Sequence, residues 1–354
     1  MHFKKVLTLF LCSIIFVSGC TGNASKKSNL VADGTMKIHT IDVGQGDATL
    51  IQLKDKNILI DGGENEKGLD VKNYLTSLGV TKLDVVIGTH PHSDHIGGLD
   101  IIIDAFEVKE VFLPNKIHTS KTFEDLLSSM KRKDLKFKVP NINDKIEFKE
   151  DGFQLTFLGP NPKKDYGTNL NAYSIISMIQ FGKIKFLTAG DLDFEAFDDF
   201  IQSNQDTKAD ILQAFHHGSA QHTNTQALKD KVNPDYILIS SGVGNSYGHP
   251  HKETLSLFQD KPVYRTDKVG TIVTTVQSDG VISIDKAPAM PDKEALSKPQ
   301  VELKEETYIG NINSHKYHLA SCGHLPFEQN RVYFESEEEA QEAGYEPSKD
   351  CIIP

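Results

Sequence analysis

The chain has 354 residues, of which 38% are apolar and 25% charged, and a formal net charge of -11. That composition fits one large globular domain or two ordinary ones. A mean hydropathy of -0.35 excludes a polytopic membrane protein. The acidic balance excludes broad electrostatic capture of nucleic acid, which needs clustered Lys and Arg.

Lys4 and Lys5 precede an apolar run, Val6 to Val17. The run is too short to span a bilayer and has the length of a signal-peptide core. "VSGC" ends at Cys20 and resembles the lipobox of bacterial lipoproteins. The resemblance implies cleavage before Cys20 and lipidation of its sulfur, hence an extracytoplasmic lipoprotein held to the membrane by an N-terminal lipid anchor. A plain signal peptide with a chance cysteine is the alternative. Loss of residues 1–19 removes two lysines and no acid, which takes the formal charge from -11 to -13. Residues 20–35 are small, polar and tether-like.

From Met36 the pattern is that of an α/β chain. "MKIHTIDVGQGDATLIQL" predicts two strands around a glycine turn, and "KNILID" a third that ends at Asp61. "LDVKNYLTSLGV" carries apolar residues at helical spacing and stops at Gly79. "LDVVIGTH" predicts a buried strand that delivers His90 to its C-terminal end, and "GGLDIIIDAF" begins a helix. Strand "VKEVFLP", helix "TFEDLLSSMKR" and strand "FQLTFLGP" follow. "AYSIISMIQFGKIKFLTAGD" predicts a hairpin turning at Gly182-Lys183. "FEAFDDFIQ" predicts a helix, and "ADILQAFHHGS" a strand ending in two histidines. "DYILISSG" and "GTIVTTVQSDGVISI" are late strands. Residues 36–285 thus read as one domain, 286–306 as a Pro-, Lys- and Glu-rich linker, and 307–354 as a small separate unit.

"GTHPHSDHIGG", Gly88 to Gly98, places three histidines and an aspartate within six residues. Imidazole nitrogen and carboxylate oxygen are natural ligands of divalent ions. His90 and His92 alternate and can face one way in an extended stretch. Asp94 and His95 follow a turn and can face a second ion. His-x-His-x-Asp-His resembles the signature of the metallo-β-lactamase superfamily. More narrowly, six motifs stand in the order found in the ComEC-like hydrolase domain of competence proteins: "IDVGQGDATLIQ", "LIDGG", "THPHSDHIGG", "FLTAGD", "FHHGS" and "SYGHPH".

The resemblance implies an αββα sandwich with two divalent ions, Zn or Mn, at one rim. On it, His90 and His92 would hold the first ion, and Asp94 and His95 the second. Asp191 would bridge both, and His216 would ligate near the second. Taken alone, Asp191 reads as a helix N-cap before "LDFEAFDDF". A further histidine that many members carry before the bridging aspartate is absent. "YGTNLNAYSII" offers Asn169 and Asn171 instead, to ligate weakly, hydrogen-bond a metal water or shape a turn.

Two such ions activate a water as nucleophile and draw charge from the scissile oxygen. No serine or cysteine nucleophile is then needed, and Asp94 would accept a hydrogen bond from the nucleophile. His249 is a candidate donor to a substrate oxygen, a general acid, or a loop histidine. His217 and Tyr247 would stand behind the ligands or against the substrate. The resemblance implies a nuclease that cleaves phosphodiesters of DNA or RNA. One alternative is a cell-surface phosphoester hydrolase acting on cell-wall or lipid head groups such as phosphocholine. Another is a non-catalytic surface binding protein.

"KYHLASC" and "VYFESEEEAQEAGYEPSKDC" resemble the small zinc-binding domain of the DNA-repair protein Ada. That implies a small α+β domain and a further Zn. Ser348 stands where that domain has a ligand cysteine. His318, Cys322 and Cys351 would hold a metal, or Cys322 and Cys351 would form a disulfide. A unit of about 45 residues rarely folds without one or the other. Ser336-x-x-Glu339 predicts a capped helix, with Gly344 at its end. The sequence carries no signal for an oligomeric state.

Overall fold

The computed structural model describes residues 31–289, together with 308–311, 314–319, 322, 325–326, 331–334 and 336–348. The signal-peptide run, Cys20, most of the tether and linker, and Cys351 lie outside the described residues. Among the described residues no helix is long and apolar enough to cross a membrane.

The first sheet starts from β1 (Thr35–Thr40), β2 (Thr49–Gln52) and β3 (Asn57–Ile60), paired antiparallel in chain order. The chain then passes through α1 (Gly68–Ser77) to β4 (Lys82–Ile87), which pairs parallel to β3. A parallel neighbour needs such a crossover, because a tight turn cannot return the chain to the same end. α2 (Ser93–Ile96) and α3 (Leu99–Ala105) lead to parallel β5 (Glu107–Phe112), and α4 (Lys121–Arg132) leads to β6 (Phe137–Lys138).

The second sheet opens antiparallel, with β7 (Lys145–Phe148), β8 (Phe153–Gly159), β9 (Ile176–Phe181) and β10 (Ile184–Thr188). It then turns parallel. α5 (Phe194–Gln202) leads to β11 (Ile211–Gln213), α6 (Gln226–Val232) to β12 (Tyr236–Ile239), and α7 (Lys252–Leu257) to β13 (Val263–Arg265). After α8 (Thr266–Val269) the chain rejoins the first sheet as β14 (Ile272–Gln277) and β15 (Ile282–Ile284). The sheet orders are β15-β14-β1-β2-β3-β4-β5-β6 and β13-β12-β11-β10-β9-β8-β7.

Alternation along the strands makes the layers, since successive side chains point to opposite faces. Ile58 and Ile60 of β3 enter the core between the sheets, while Leu59 joins the outer one. Val85, Ile87 and Val86 of β4 repeat the split. In the inner core these residues meet Leu155, Ile179 and Phe186 of the second sheet. Val71, Leu75, Ile102 and Phe123 cover the outside of the first sheet. Phe197, Phe200 and Leu228 cover the outside of the second. Each such side chain contributes about 1.5–3 kcal/mol on full burial. The result is an αββα sandwich, as the resemblance implied.

The C-terminal unit is a small α+β element. Its sheet runs β18 (Arg331–Phe334), β16 (Tyr308–Asn311), β17 (Lys316–Leu319), β19 (Glu346–Pro347). Tyr317 is fully buried against Phe334 and Ala340. Ser336 caps the helix Glu337–Glu342 by accepting from Glu339 N at 3.1 Å, and Gly344 follows at a left-handed φ of 83°. Cys322 is disulfide-bonded, which removes it as a thiolate ligand, with His318 Nδ1 at 3.9 Å from its sulfur.

Three backbones meet at Gly98. A Cβ there would overlap Gly62 O and lie 2.7 Å from Gly68 Cα. Gly98→Ala is therefore expected to destabilise the metal-free protein by about 1–3 kcal/mol through overpacking. Thermal unfolding followed by circular dichroism checks this, and an unchanged midpoint would contradict the close approach.

Candidate metal centre

The C-terminal ends of β3, β4, β10, β11 and β12 gather at one rim. β3 ends at Asp61, which is 1% exposed and left-handed at φ 59°. Its carboxylate accepts from Thr89 N at 2.7 Å and Thr89 Oγ1 at 2.8 Å. It also lies 2.8 Å from His95 Nδ1. A carboxylate holding Nδ1–H leaves Nε2 free to face the site. Burial pushes the Asp61 carboxyl above its ordinary range, against the pull of His95.

Three side chains gather around His95 Nε2. Asp191 Oδ1 is 3.0 Å away and Asp94 Oδ2 3.8 Å. His217 Nε2 is 3.3 Å from the same Asp191 oxygen and 3.2 Å from Asp94 Oδ2. The His217 ring is aimed from behind, with Nδ1 at 3.1 Å from the Ser240 carbonyl. On the other side of Asp191, Oδ2 lies 3.9 Å from His90 Nε2 and 3.5 Å from His216 Nε2. His92 Nδ1 is 3.0 Å from His90 Nε2.

One buried carboxylate therefore serves two imidazole clusters. The atoms fit a cation better than they fit each other. His95 Nε2 and Asp191 Oδ1 are buried and close, yet neither has a hydrogen-bond partner. Their separation is short, but their approach is not that of a donor and an acceptor. Groups aimed at a shared point leave such pairs. Asp47, His95, Asp191 and His217 are close enough to hold one ion, and His90, His92 and Asp191 another. Asp94 is better placed than Asp47 for the first of these. Asp47 Oδ1 is 3.6 Å from His217 Nδ1, the nitrogen turned toward Ser240.

His217, not His216, enters the Asp94/His95 cluster, and His216 turns to the Oδ2 side. The sequence reading placed His216 near the second ion and His217 behind the ligands or against the substrate. Both residues are left-handed, at φ 49° and 54°, ahead of Gly218 at 82°. Strained non-glycine positions of this kind cost about 1–3 kcal/mol each. Here they let adjacent residues send rings to opposite oxygens of Asp191.

Asn169 and Asn171 also have a partner that the sequence did not suggest. Their Nδ2 groups donate to Asp193 Oδ1 at 2.9 Å and Oδ2 at 3.0 Å. Asn171 Oδ1 is buried without a hydrogen-bond partner, and Asn171 lines the cavity. That cavity holds about 440 Å³, with His92, Asp94, Asp191, His216 and His217 in its wall. His249 and Tyr247 lie at its side, and among the described residues no lysine or arginine lines it. Burial, with the nearby His216 and His217, lowers the His249 pKa to about 2. His249 is thus a neutral ring.

Asp61, Asp47 and Asp193 were not singled out from sequence. Their only signal was position, an acid just after a strand or inside a glycine turn.

The buried carboxylates and imidazoles shift one another's protonation. Burial alone would strip the proton from His95 and His217. Asp191, with Asp94 and other carboxylates, instead holds both well above the ordinary histidine value. Burial likewise opposes ionisation of Asp191, but His216, His217 and His95 keep it well below the usual carboxylate range. His90 and His92 are lowered, chiefly by burial. An entering cation must therefore displace protons from His95 and His217 at neutral pH. Raised pKa values mean that affinity for Mn²⁺ or Zn²⁺ falls as pH falls and rises toward alkaline pH. Calorimetry at pH 7 in buffers of different ionisation enthalpy should show net proton release. Binding without proton release would contradict the protonated cluster.

The comparisons with known proteins agree with this geometry. Residues 41–242 match the metallo-beta-lactamase superfamily model. ComE operon protein 3 of Bacillus subtilis (strain 168) is 27% identical over 256 residues, covering 67% of this chain and 32% of that protein. Recombination protein 2 of Haemophilus influenzae is 29% identical over 222 residues, covering 61% of this chain and 26% of that protein. The chain thus spans about a third or less of these relatives. Among solved structures, the metallo-beta-lactamase fold protein YhfI from Bacillus subtilis aligns with a TM-score of 0.45 and 17% identity. That alignment covers 71% of this chain and 99% of YhfI. With its αββα layers, its convergent His and Asp groups and its match over residues 41–242, the chain belongs to the metallo-β-lactamase superfamily.

Proposed function

We infer that this protein is an exported, lipid-anchored, metal-dependent phosphodiesterase whose substrate is DNA or RNA. The observation that carries the hydrolytic reading is the division of the Asp191 carboxylate. Oδ1 faces His95 and His217, and Oδ2 faces His90 and His216. Two divalent ions held there would supply Lewis acidity, drawing charge from a phosphoryl oxygen and activating water near neutral pH. Asp94, His95 and His217 are the residues for one ion, His90 and His92 for the other, and Asp191 for both. Asp61 and the Ser240 carbonyl keep the two inward Nε2 atoms aimed. His216 adds a third nitrogen on the Oδ2 side. His249, a neutral ring on the cavity wall, is suited to donating N–H to a substrate oxygen and not to acting as an imidazolium acid.

The name of one relative, Recombination protein 2, supports nucleic acid as the substrate class. So does the C-terminal likeness to a DNA-repair domain. Export and anchoring rest on the basic, apolar and "VSGC" order before Cys20. One observation favours a second reading, a phosphocholine-like head group. Glu64 lines the cavity and, among the described residues, no lysine or arginine does, so a zwitterion could bring its own cation to Glu64.

The test uses the full mature chain with Mn²⁺ or Zn²⁺, offered plasmid DNA, RNA and p-nitrophenyl phosphorylcholine. Nucleic acid should be cut. Asp191→Ala and His217→Ala should each lower kcat/KM by roughly a thousandfold or more, and His217→Ala should cost more than His216→Ala. Cleavage of the phosphorylcholine ester alone would move the assignment to the head-group reading. No cleavage with either metal would refute the enzyme. Cys20→Ser should move the cellular protein from the detergent phase to the aqueous phase, and an unmoved protein would refute the anchor.

A further inference from the structure

We propose that Thr89 is a positioning residue that carries the hold of Asp61 on to His90, so that one buried carboxylate aims a ligand of each ion. This rests on the two-ion reading above. Asp61 aims His95 directly, with Oδ2 at 2.8 Å from Nδ1. Behind the His90 ring stands Thr89, whose Oγ1 lies 3.1 Å from His90 Nδ1. The same hydroxyl donates to Asp61 Oδ2 at 2.8 Å. Asp61, Thr89, His90 and His95 are all buried, so these bonds are made out of reach of bulk solvent.

Counting hydrogens fixes the His90 tautomer. A hydroxyl has one hydrogen to give and lone pairs with which to receive. Thr89 gives its hydrogen to Asp61, a carboxylate that also accepts from Thr89 N at 2.7 Å. Toward His90 the hydroxyl can therefore only accept. Nδ1 of His90 then carries the ring hydrogen, and Nε2 turns its lone pair to the side where His92 Nδ1 lies at 3.0 Å and Asp191 Oδ2 at 3.9 Å. An imidazole held in that form is ready to bind a divalent ion through Nε2.

Thr89 is itself clamped from the second sheet. Its carbonyl accepts from Ile175 N at 3.0 Å, just ahead of β9. Gly190, next to Asp191, presses on its side chain. A Cβ on Gly190 would stand 2.5 Å from Thr89 Oγ1 and 2.9 Å from Thr89 Cβ. The backbone that delivers the shared carboxylate thus also keeps the Thr89 hydroxyl turned to Asp61 and His90. Serine offers the same hydroxyl on a freer side chain, while valine keeps the branched shape and loses the hydroxyl.

The experiment titrates the metal-free full chain with Mn²⁺ in a calorimeter. Wild type should take two ions, and the step abolished in His90→Ala marks the first ion. Thr89→Val should weaken that step by roughly tenfold or more and leave the other unchanged, while Thr89→Ser should restore it. Equal weakening of both steps, no weakening, or a serine variant as poor as valine would overturn the relay while leaving the two-ion centre standing. Where Thr89→Val does not fold, proton–nitrogen correlation spectra of the metal-free wild type decide, with the His90 ring assigned by its loss in His90→Ala. The hydrogen is expected on Nδ1, and a hydrogen on Nε2 would overturn the relay. If wild type takes one ion or none at saturation, the two-ion reading fails and the relay falls with it.

Discussion

The site depends on one carboxylate that belongs to one sheet and is used by both. Asp191 follows β10 of the second sheet, while His90 and His95 are delivered by the first. A buried anion of this kind is costly unless paired on every side. Asp191 meets that condition only because the inner apolar core holds the two sheets at a fixed separation, with Ile87 and Phe186 among its members. Packing and chemistry are therefore coupled. Loosening the sandwich would separate Asp191 from half of its partners before it unfolded either sheet.

Around that carboxylate, the protein aims its rings from behind. Asp61 fixes His95, and the Ser240 carbonyl fixes His217. Both supports stand at strand ends, where backbone hydrogen bonds to the neighbouring strand give way to side-chain ones. Among the described residues, the wall of acids and histidines that suits cations holds no lysine or arginine. In the proposed two-ion centre, positive charge for an anionic substrate would come from the ions, and contacts beyond the phosphoryl group would fall to His249 and Glu64. The overall acidity of the chain is then no obstacle to a phosphodiester substrate at the centre, though it disfavours loose binding of long polyanions elsewhere.

Much of this was legible from sequence where spacing and chemistry coincide. His90, His92, Asp94 and His95 sit in one short motif at the end of an apolar strand, and Asp191 ends another. Long strands with period-two patterning, such as β9, and helices such as α4 were visible for the same reason. β6, β7 and β13 are too short for any period to show. The order of His216 and His217 was not legible, because two left-handed residues in succession break the alternation by which a strand end assigns side chains to faces. Asn169 and Asn171 were noticed for a missing histidine, yet their amide groups answer to Asp193, a partner that only the folded chain brings near. Asp61 and Asp47 were not singled out because a carboxylate beside a strand has the same sequence signature whether it caps, turns or supports a ring.

The central claim is that Asp191 joins two ions. Electron paramagnetic resonance of the full chain loaded with two equivalents of Mn²⁺ tests it most directly. The account predicts an exchange-coupled dimanganese signal that disappears in Asp191→Ala. Two isolated six-line Mn²⁺ spectra in the wild type, or a single bound ion at saturation, would contradict it.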